Sequence, residues 1–180
     1  MPAAPNHPAS PLSRAPGRQQ LPADAQDLLL SITRQTAESH EESALLQSVV
    51  EASLSVVRAA EKCVLHLLAD DLLIPSYCSQ PWPAEQRHAG IPAGVGIAGQ
   101  VLLANRTICV ADTAQDDLYA PLRSGDDIRS LMVVPLSFGA IRLGTLSLSS
   151  AVPHAFDACA TDYVEILAAQ AAIAIHQTRL

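Results

Sequence analysis

The sequence predicts an α+β fold in which helices at both ends of the chain pack against a central antiparallel sheet. Three observations predict it. Apolar residues recur at helical spacing over Asp24–Ala59 and over Thr161–Leu180. Between these regions, short apolar segments follow one another with turn-forming residues between them, which favours antiparallel pairing. Residues 80–96 are rich in proline and glycine and are expected to be mostly loop.

Composition limits the class of protein. The chain has 180 residues, 49% of them hydrophobic, which suffices for one globular domain with a sizeable core. Its net charge of −7 disfavours direct contact with nucleic acid or an anionic membrane surface, since both are polyanions. No apolar run reaches the roughly 18 residues of a membrane span. With four cysteines, no CxxC spacing and no apolar leader in residues 1–23, the sequence predicts a cytoplasmic protein without a disulfide scaffold.

The N-terminal part divides into a tail and two helices. Residues 1–23 contain six of the thirteen prolines and no acidic residue, so they are predicted to be a disordered tail before a domain over 24–180. Asp24 can cap a first helix that ends near Ser39. The spacing of Ser39 and Glu42 matches a capping box, and the apolar positions that follow predict a second helix.

The middle of the chain is predicted to form strands. Cys63–Ala69 is a continuous apolar segment, and Asp70-Asp71 turns the chain back into a hairpin. Because Pro75 cannot donate to a ladder, the second strand of this hairpin is expected at a sheet edge. A short helix over Ile97–Ala104 and a polar, acidic connection over Ala111–Arg129 come before later strands. The predicted strands are Cys63–Ala69, Leu72–Ser79, Thr107–Val110, Leu131–Leu136 and Leu143–Ser149.

Four segments carry a family resemblance. They are GIPAGVGIAGQVLLANRTICVADTAQDDLYAP, IRSLMVVPL, RLGTLSLSSAVPHAF and YVEILAAQAAIAI. In this order they resemble successive blocks of a GAF domain, a PAS-related fold, and they cover about Glu42–Leu180. The resemblance implies a regulatory module with the terminal helices on one face of the sheet and a loop- and helix-covered pocket for a small molecule on the other. It also implies a homodimer formed through the terminal helices, and an output partner such as a histidine kinase, a transcription factor or a cyclase.

The resemblance places the ligand pocket between the sheet, the short helix and the acidic connection. Residues predicted to bind the ligand are Ile97, Val101, Asp112, Tyr119, Ile128, Arg129, Met132 and Val134. Arg129 has two interpretations. It can form a salt bridge that pins the acidic connection to the following strand, or its guanidinium can hold an anionic ligand through two parallel donors. An acidic loop over the pocket could instead favour a cationic or polar ligand.

Residues that define the known ligand-binding branches of the family are mostly missing. Phe156 fits the phenylalanine of cyclic-nucleotide-binding GAF domains, but Ser149-Ser150 and Ala160-Thr161 stand where the Asn-Lys and acidic pairs are expected. No histidine occurs from residue 89 to residue 153, where a haem-binding branch places one. No cysteine for bilin attachment lies between Cys109 and Cys159. The ligand and any cofactor are therefore left unassigned.

One branch of the family is enzymatic. The free methionine-(R)-sulfoxide reductases use cysteine thiolates in the loop beside the pocket. Here the cysteines lie on predicted strands or at the start of the last helix. The sequence therefore predicts a sensory domain that binds a small molecule or responds to redox state, and not an enzyme. Two alternatives stay open: a reductase of this kind, and a dimerisation module without a pocket.

Cys63 and Cys78 form a candidate redox pair. If Asp70-Asp71 is a two-residue turn, paired positions across the hairpin sum to 141, and the two thiols lie opposite each other. Two reduced thiols in a partly apolar sheet are the alternative. His66 is expected to be a hydrogen-bonded structural histidine. No metal site is predicted, because the histidines show no HxxxH or HExxH spacing.

Overall fold

The computed structural model of the protein describes residues 42–81, 90–119 and 127–180, and these ranges confirm the predicted α+β fold. The helices are α1 (Glu42–Val56), α2 (Gly96–Ala104) and α3 (Ala158–Thr178). The strands are β1 (Lys62–Ala69), β2 (Leu72–Cys78), β3 (Ile91–Pro92), β4 (Ile108–Val110), β5 (Ser130–Phe138) and β6 (Ile141–Ser150). They form one antiparallel six-stranded sheet in the order β3-β2-β1-β6-β5-β4. The predicted tail 1–23 and the predicted helix Asp24–Ser39 lie outside the described residues.

The helices α1 and α3 cover one face of the sheet, called here the helix face. Val49 and Val50 of α1 and Leu167 and Ala171 of α3 are buried in the main hydrophobic core. Alanines at the buried positions of α3 allow the backbones of α1, α3 and the sheet to approach closely. Asp157 caps α3 by accepting a hydrogen bond from the Ala160 N–H at 2.7 Å. The terminal helices therefore lie on one face, as the resemblance implies.

Helix α3 has 21 residues and is long and apolar enough, by length and composition, to cross a membrane. Its apolar side is used inside the domain instead. Val164, Leu167 and Ile175 are buried against the sheet and α1, and the charged Asp162 and Glu165 are exposed. This distribution is typical of the core helix of a globular domain.

Helix α2 packs on the opposite face of the sheet, called here the loop face, where it contacts β5 and β6. A second, smaller core there consists of Leu73, Ile97, Ala98, Val101, Leu102, Val110 and Val133. Gly99 lets α2 approach the segment before it, since a Cβ at this position would lie 2.6 Å from the Pro92 carbonyl oxygen. The sheet is thus buried on both faces, by different helices.

The β1–β2 hairpin departs from the predicted register. Near the turn the pairing follows the prediction, but a β-bulge between Leu65 and His66 shifts it, and Cys78 lies opposite Val64. Residues in register share a face and neighbours along a strand alternate, so Cys63 points to the helix face and Cys78 to the loop face. The predicted opposition of Cys63 and Cys78 is therefore wrong, and both are free thiols.

Strand β2 is second from the sheet edge, and the edge position predicted from Pro75 is wrong because β3 lies outside it. However, β3 has only two residues and pairs with Leu72 and Leu73. Pro75 lies beyond the end of this short strand. Its missing N–H therefore costs no hydrogen bond to β3.

Candidate functional site

Strand β6 presents different chemistry to the two faces of the sheet. Leu146 and Leu148 are fully buried on the helix face. Thr145, Ser147 and Ser149 alternate with them and therefore belong to the loop face. Because β6 and β1 are the two central strands, these residues place a row of hydroxyl groups near the middle of the loop face.

Several residues around these hydroxyls form what we call the loop-face corner. It consists of Val64, Cys78, Leu131, Ser147 and Ser149, which share this face by register. Cys78, Leu131 and Ser147 are half-buried, whereas Val64 and Ser149 are buried. Cys78 also lines an open cavity of 590 Å³ along the segment Pro75–Pro81. The corner therefore combines apolar side chains, hydroxyls and a thiol, a mixture typical of ligand pockets.

An ion pair between Asp112 and Arg129 joins the two ends of the acidic connection. We call this pair the base of the connection. The Arg129 Nε and Nη2 atoms donate to the Asp112 carboxylate at 2.9–3.1 Å. Asp112 also accepts from the Ala114 N–H and thereby caps a short 3₁₀ turn, Thr113–Gln115. The hydrogen bonds from Arg129 and then Ala114 lower the pKa of Asp112, and the same pair raises the pKa of Arg129. Of the two interpretations of Arg129, the structure shows the salt bridge.

Further hydrogen bonds hold this base together. The Thr113 N–H donates to the Arg129 carbonyl at 2.9 Å, and Thr113 Oγ1 donates to the Ile128 carbonyl at 2.6 Å. Asp116 Oδ1 accepts from the N–H of Tyr119 at 2.9 Å, which fixes the turn that follows. Tyr119 and Ile128 are half-buried. The two ends of the acidic connection are thus joined beside β5.

The other predicted ligand-binding residues lie on two different faces. Ile97 and Val101 are buried between α2 and the sheet. Met132 and Val134 are 0% and 1% exposed and belong to the helix-face core, so their assignment to a loop-face pocket is wrong. Val133 faces α2 instead. Since β5 is apolar on both faces, its sequence pattern does not show which alternate residues face the pocket.

Two further polar residues on the loop face, His66 and Thr145, were not among the predicted site residues. They lie opposite each other on β1 and β6 and are 4% and 0% exposed. Burial lowers the pKa of His66 to about 4, so the imidazole is neutral at pH 7. Thr145 Oγ1 is buried and has no hydrogen-bond partner in the described part of the chain. The alternation in the sequence TLSLS is the signal that points to Thr145 and Ser147.

Metal and thiol chemistry have few candidates among the described residues. Within the three described ranges, no group of three His, Cys, Asp or Glu side chains is arranged to hold a metal ion. Burial, with a smaller effect from Cys78, raises the pKa of the Cys63 thiol, which disfavours its thiolate. Cys109 is exposed on the edge strand β4, and Cys159 is half-buried at the start of α3. Cys78 is therefore the cysteine of the loop-face corner.

Solved structures with the same fold include both free methionine-R-sulfoxide reductases and GAF domains of other proteins. The free methionine-R-sulfoxide reductase of Neisseria meningitidis, solved with its substrate, is 21% identical with a TM-score of 0.73, over 86% of this chain and 90% of that chain. The Staphylococcus aureus reductase in its reduced form is 19% identical with a TM-score of 0.72, over 86% of this chain and 97% of that chain. The GAF domain of a Coxiella burnetii phosphoenolpyruvate-protein phosphotransferase is 20% identical with a TM-score of 0.75, over 87% and 95%.

These likenesses correct one prediction. The expectation that the chain is not an enzyme is wrong, because reductases are among the structures that share its fold, and they are as similar to this chain as the other GAF domains are. At these identities the likeness shows the fold alone.

A family model described as a GAF domain matches residues 39–176, which is most of the chain. No curated protein matches the sequence. The matched range includes α1, the six strands of the described sheet, and all of α3 except its last two residues. The chain therefore belongs to the GAF domain family.

Proposed function

We propose that the chain is a sensory GAF domain that binds a small molecule at the loop-face corner and passes this binding to its terminal helices. The observation that carries the proposal is the row of hydroxyls on β6. A central strand that packs against other elements on both faces typically reads as a near-continuous apolar run. Here leucines fill the helix face, and Thr145, Ser147 and Ser149 are kept on the other.

The geometry of the corner supports binding of a small molecule. Ser147 lies between Val64 on β1 and Val133 on β5, so a hydroxyl is flanked by apolar side chains on both sides. Such a surface gives a ligand apolar contact area and a few directional hydrogen bonds.

The base of the acidic connection borders this corner. The Asp112–Arg129 ion pair lies at the start of β5, close to Leu131. It holds the two described ends of the acidic connection at the border of the corner.

Native mass spectrometry tests this proposal. The protein as purified is expected to carry extra mass that is lost on denaturation. Ser147→Phe fills the corner and is expected to lose that mass. Ser55→Phe, at an exposed position on α1, is the matched control and keeps it. An unliganded protein that also shows no thermal shift with a metabolite panel contradicts the proposal and favours a dimerisation module without a pocket.

A reductase is the second candidate, and a specific observation favours it. Cys78 lies in the loop-face corner and lines the 590 Å³ cavity. In this reaction the Cys78 thiolate attacks the sulfoxide, whose oxygen takes up one proton from solvent. The S–O bond of the substrate breaks as an S–O bond to the Cys78 sulfur forms, so methionine leaves and Cys78 becomes a sulfenic acid. Two equivalents of an added thiol then reduce the sulfenic acid, forming a disulfide and releasing water.

The reductase assay uses free methionine-R-sulfoxide with dithiothreitol as the reductant. If the chain is such an enzyme, Cys78→Ser abolishes methionine formation, whereas Cys109→Ser on the outer strand leaves it unchanged. No turnover above the rate of dithiothreitol alone removes this candidate. Turnover that survives Cys78→Ser places the chemistry elsewhere.

The remaining assignments belong to the same proposal. We infer a cytoplasmic homodimer that reports to an output partner such as a histidine kinase, a transcription factor or a cyclase. The GAF family membership and the exposed apolar residues Ile166 and Ile173 on α3 support the dimer. Its test is argued in the Discussion.

A further inference from the structure

Strand β4 lies between the base of the acidic connection and helix α3. It has only three residues, stands at one edge of the sheet, and pairs with β5. Its side chains alternate between the two faces. Ile108 and Val110 pack with the core under α2, whereas Cys109, opposite Met132, points to the helix face. This strand therefore touches both the pocket side and the helix side of the domain.

On the helix face, β4 and the residue before it contact the first two turns of α3. Thr107 Oγ1 donates to Glu165 Oε1 at 2.6 Å. The Cys109 sulfur lies 3.5 Å from Thr161 Oγ1. Thr161 and Glu165 are four residues apart and so lie on the same side of α3. Two neighbouring contacts therefore attach α3 to β4 and to the residue before it.

At its other end, β4 leads directly into the base of the acidic connection. The Ala111 carbonyl accepts a hydrogen bond from the His154 N–H at 2.6 Å, which joins it to the turn before α3. Asp112 follows and binds Arg129, whose N–H donates to the Ser150 carbonyl at 2.8 Å. Because Asp112 and Ala111 directly follow β4, a displacement of this base would also shift the position of β4 and of the turn that precedes α3.

We infer that β4 transmits changes at the Asp112–Arg129 base to the first turns of α3 through the Thr107–Glu165 and Cys109–Thr161 contacts. The inference rests on the proposed function, because it states how an event beside the pocket reaches a terminal helix. Thr107 and Glu165 are positioning residues in it. A short edge strand is held on one side only, so it shifts at a lower free-energy cost than the central strands.

Hydrogen–deuterium exchange on the full chain without ligand tests the coupling. Arg129→Met removes the guanidinium donors but keeps the aliphatic stem. It is expected to raise the exchange rates of the backbone amides at 161–168 about three- to tenfold. Arg142→Met, at an exposed position on β6, is the matched control and leaves these rates unchanged.

The same measurement in a second background identifies the route. Thr107→Val removes the hydroxyl at nearly constant shape and leaves only the Cys109–Thr161 contact, so Arg129→Met is then expected to raise exchange at residues 161–168 by a clearly smaller factor. Thr107→Ser keeps the hydroxyl and preserves the effect. Should Thr107→Val fail to fold, Glu165→Ala removes the same hydrogen bond from α3, and Glu165→Gln, which can still accept it, is the control.

Two results overturn the inference. One is faster exchange confined to residues 112–119 after Arg129→Met. The other is an equal effect on α3 with and without the Thr107 hydroxyl. Neither result depends on a ligand, so the mass measurement tests the proposed function separately. A bound ligand together with uncoupled exchange removes this inference and leaves the proposed function in place.

Discussion

At the scale of single residues, the buried His66 makes the stability of the domain depend on pH. Its pKa is about 4 in the folded protein, against an ordinary value of 6.5. Between these two values the unfolded chain binds more protons than the folded one, so stability falls as the pH falls. We expect the free energy of unfolding to decrease by about 3 kcal/mol from pH 7 to pH 4.

Urea denaturation at several pH values checks this expectation. His66→Gln cannot titrate and is expected to flatten the dependence between pH 6.5 and pH 4. His154→Asn is the control, because His154 is exposed and asparagine tolerates its positive φ of 57°. Equal slopes for the wild-type protein and His66→Gln would contradict the buried, neutral state of His66.

The Asp112–Arg129 ion pair acts in a more acidic window. Because the pKa of Asp112 is lowered in the folded protein, the pair stabilises the fold above the carboxyl's ordinary pKa and stops doing so as the pH falls through the lowered one. Asp112→Asn is therefore expected to lower Tm at pH 7, and its deficit relative to the wild-type protein is expected to shrink as the pH falls below the ordinary pKa of a carboxyl. Asp117→Asn, exposed in the same connection, is the control. A deficit of Asp112→Asn that keeps the same size as the pH falls through this acidic range means that the loss is not electrostatic.

The residue scale is also where sequence-based prediction succeeded least. Arg129 was recognised as the charge that either pins the connection or binds a ligand, and its partner, Asp112, was in the same predicted set. Met132 and Val134 were placed on the wrong face because Leu131–Val134 is apolar at every position. In such a strand only the neighbouring elements decide which alternate residues face the pocket.

At the scale of elements, β6 has one face filled by buried leucines and another that carries hydroxyls, and two substitutions distinguish their contributions to stability. Leu148→Ala leaves a cavity in the helix-face core and is expected to cost about 2–5 kcal/mol of unfolding free energy. Ser147→Ala, one residue away on the half-buried loop face, is expected to change it by less than about 0.5 kcal/mol. Urea denaturation of both variants measures the difference. A loss at Ser147→Ala as large as that at Leu148→Ala would mean that the loop face is also structural core.

Element boundaries followed from periodicity and turn residues, but pairing details did not. The hairpin turn at Asp70-Asp71 lies where the sequence indicated, and both residues have positive φ. The bulge beside His66 left no mark in the sequence, yet it turned Cys78 to the other face. An extra residue in a strand depends on cross-strand packing, so a pattern read along one strand does not reveal it.

At the scale of the whole molecule, the order of helices and strands was enough to predict the fold. Strands in succession between terminal helices leave few arrangements that bury both faces of one sheet. The chemistry of the site did not follow in the same way. It depends on which side chains from β1, β2, β5 and β6 fall in register on the loop face, and register is set by contacts distant in sequence.

The proposed dimer belongs to this largest scale, because one face of α3 is left apolar. Ile166 and Ile173 are 36% and 37% exposed, and their spacing of seven residues places them on one side of the helix. Such a stripe favours packing against the same helix of a second copy. Light scattering coupled to size exclusion is therefore expected to give twice the chain mass of 19.0 kDa.

Replacing this stripe tests where the two copies meet. Ile166→Glu combined with Ile173→Glu puts charges into the proposed interface and is expected to reduce the measured mass to 19.0 kDa. Leu103→Glu, at an exposed apolar position on α2, is the matched control and leaves the dimer intact. A wild-type mass of one chain at high concentration contradicts the dimer. A dimer that survives both glutamates moves the interface away from α3, and with it the route by which a bound molecule could signal between copies.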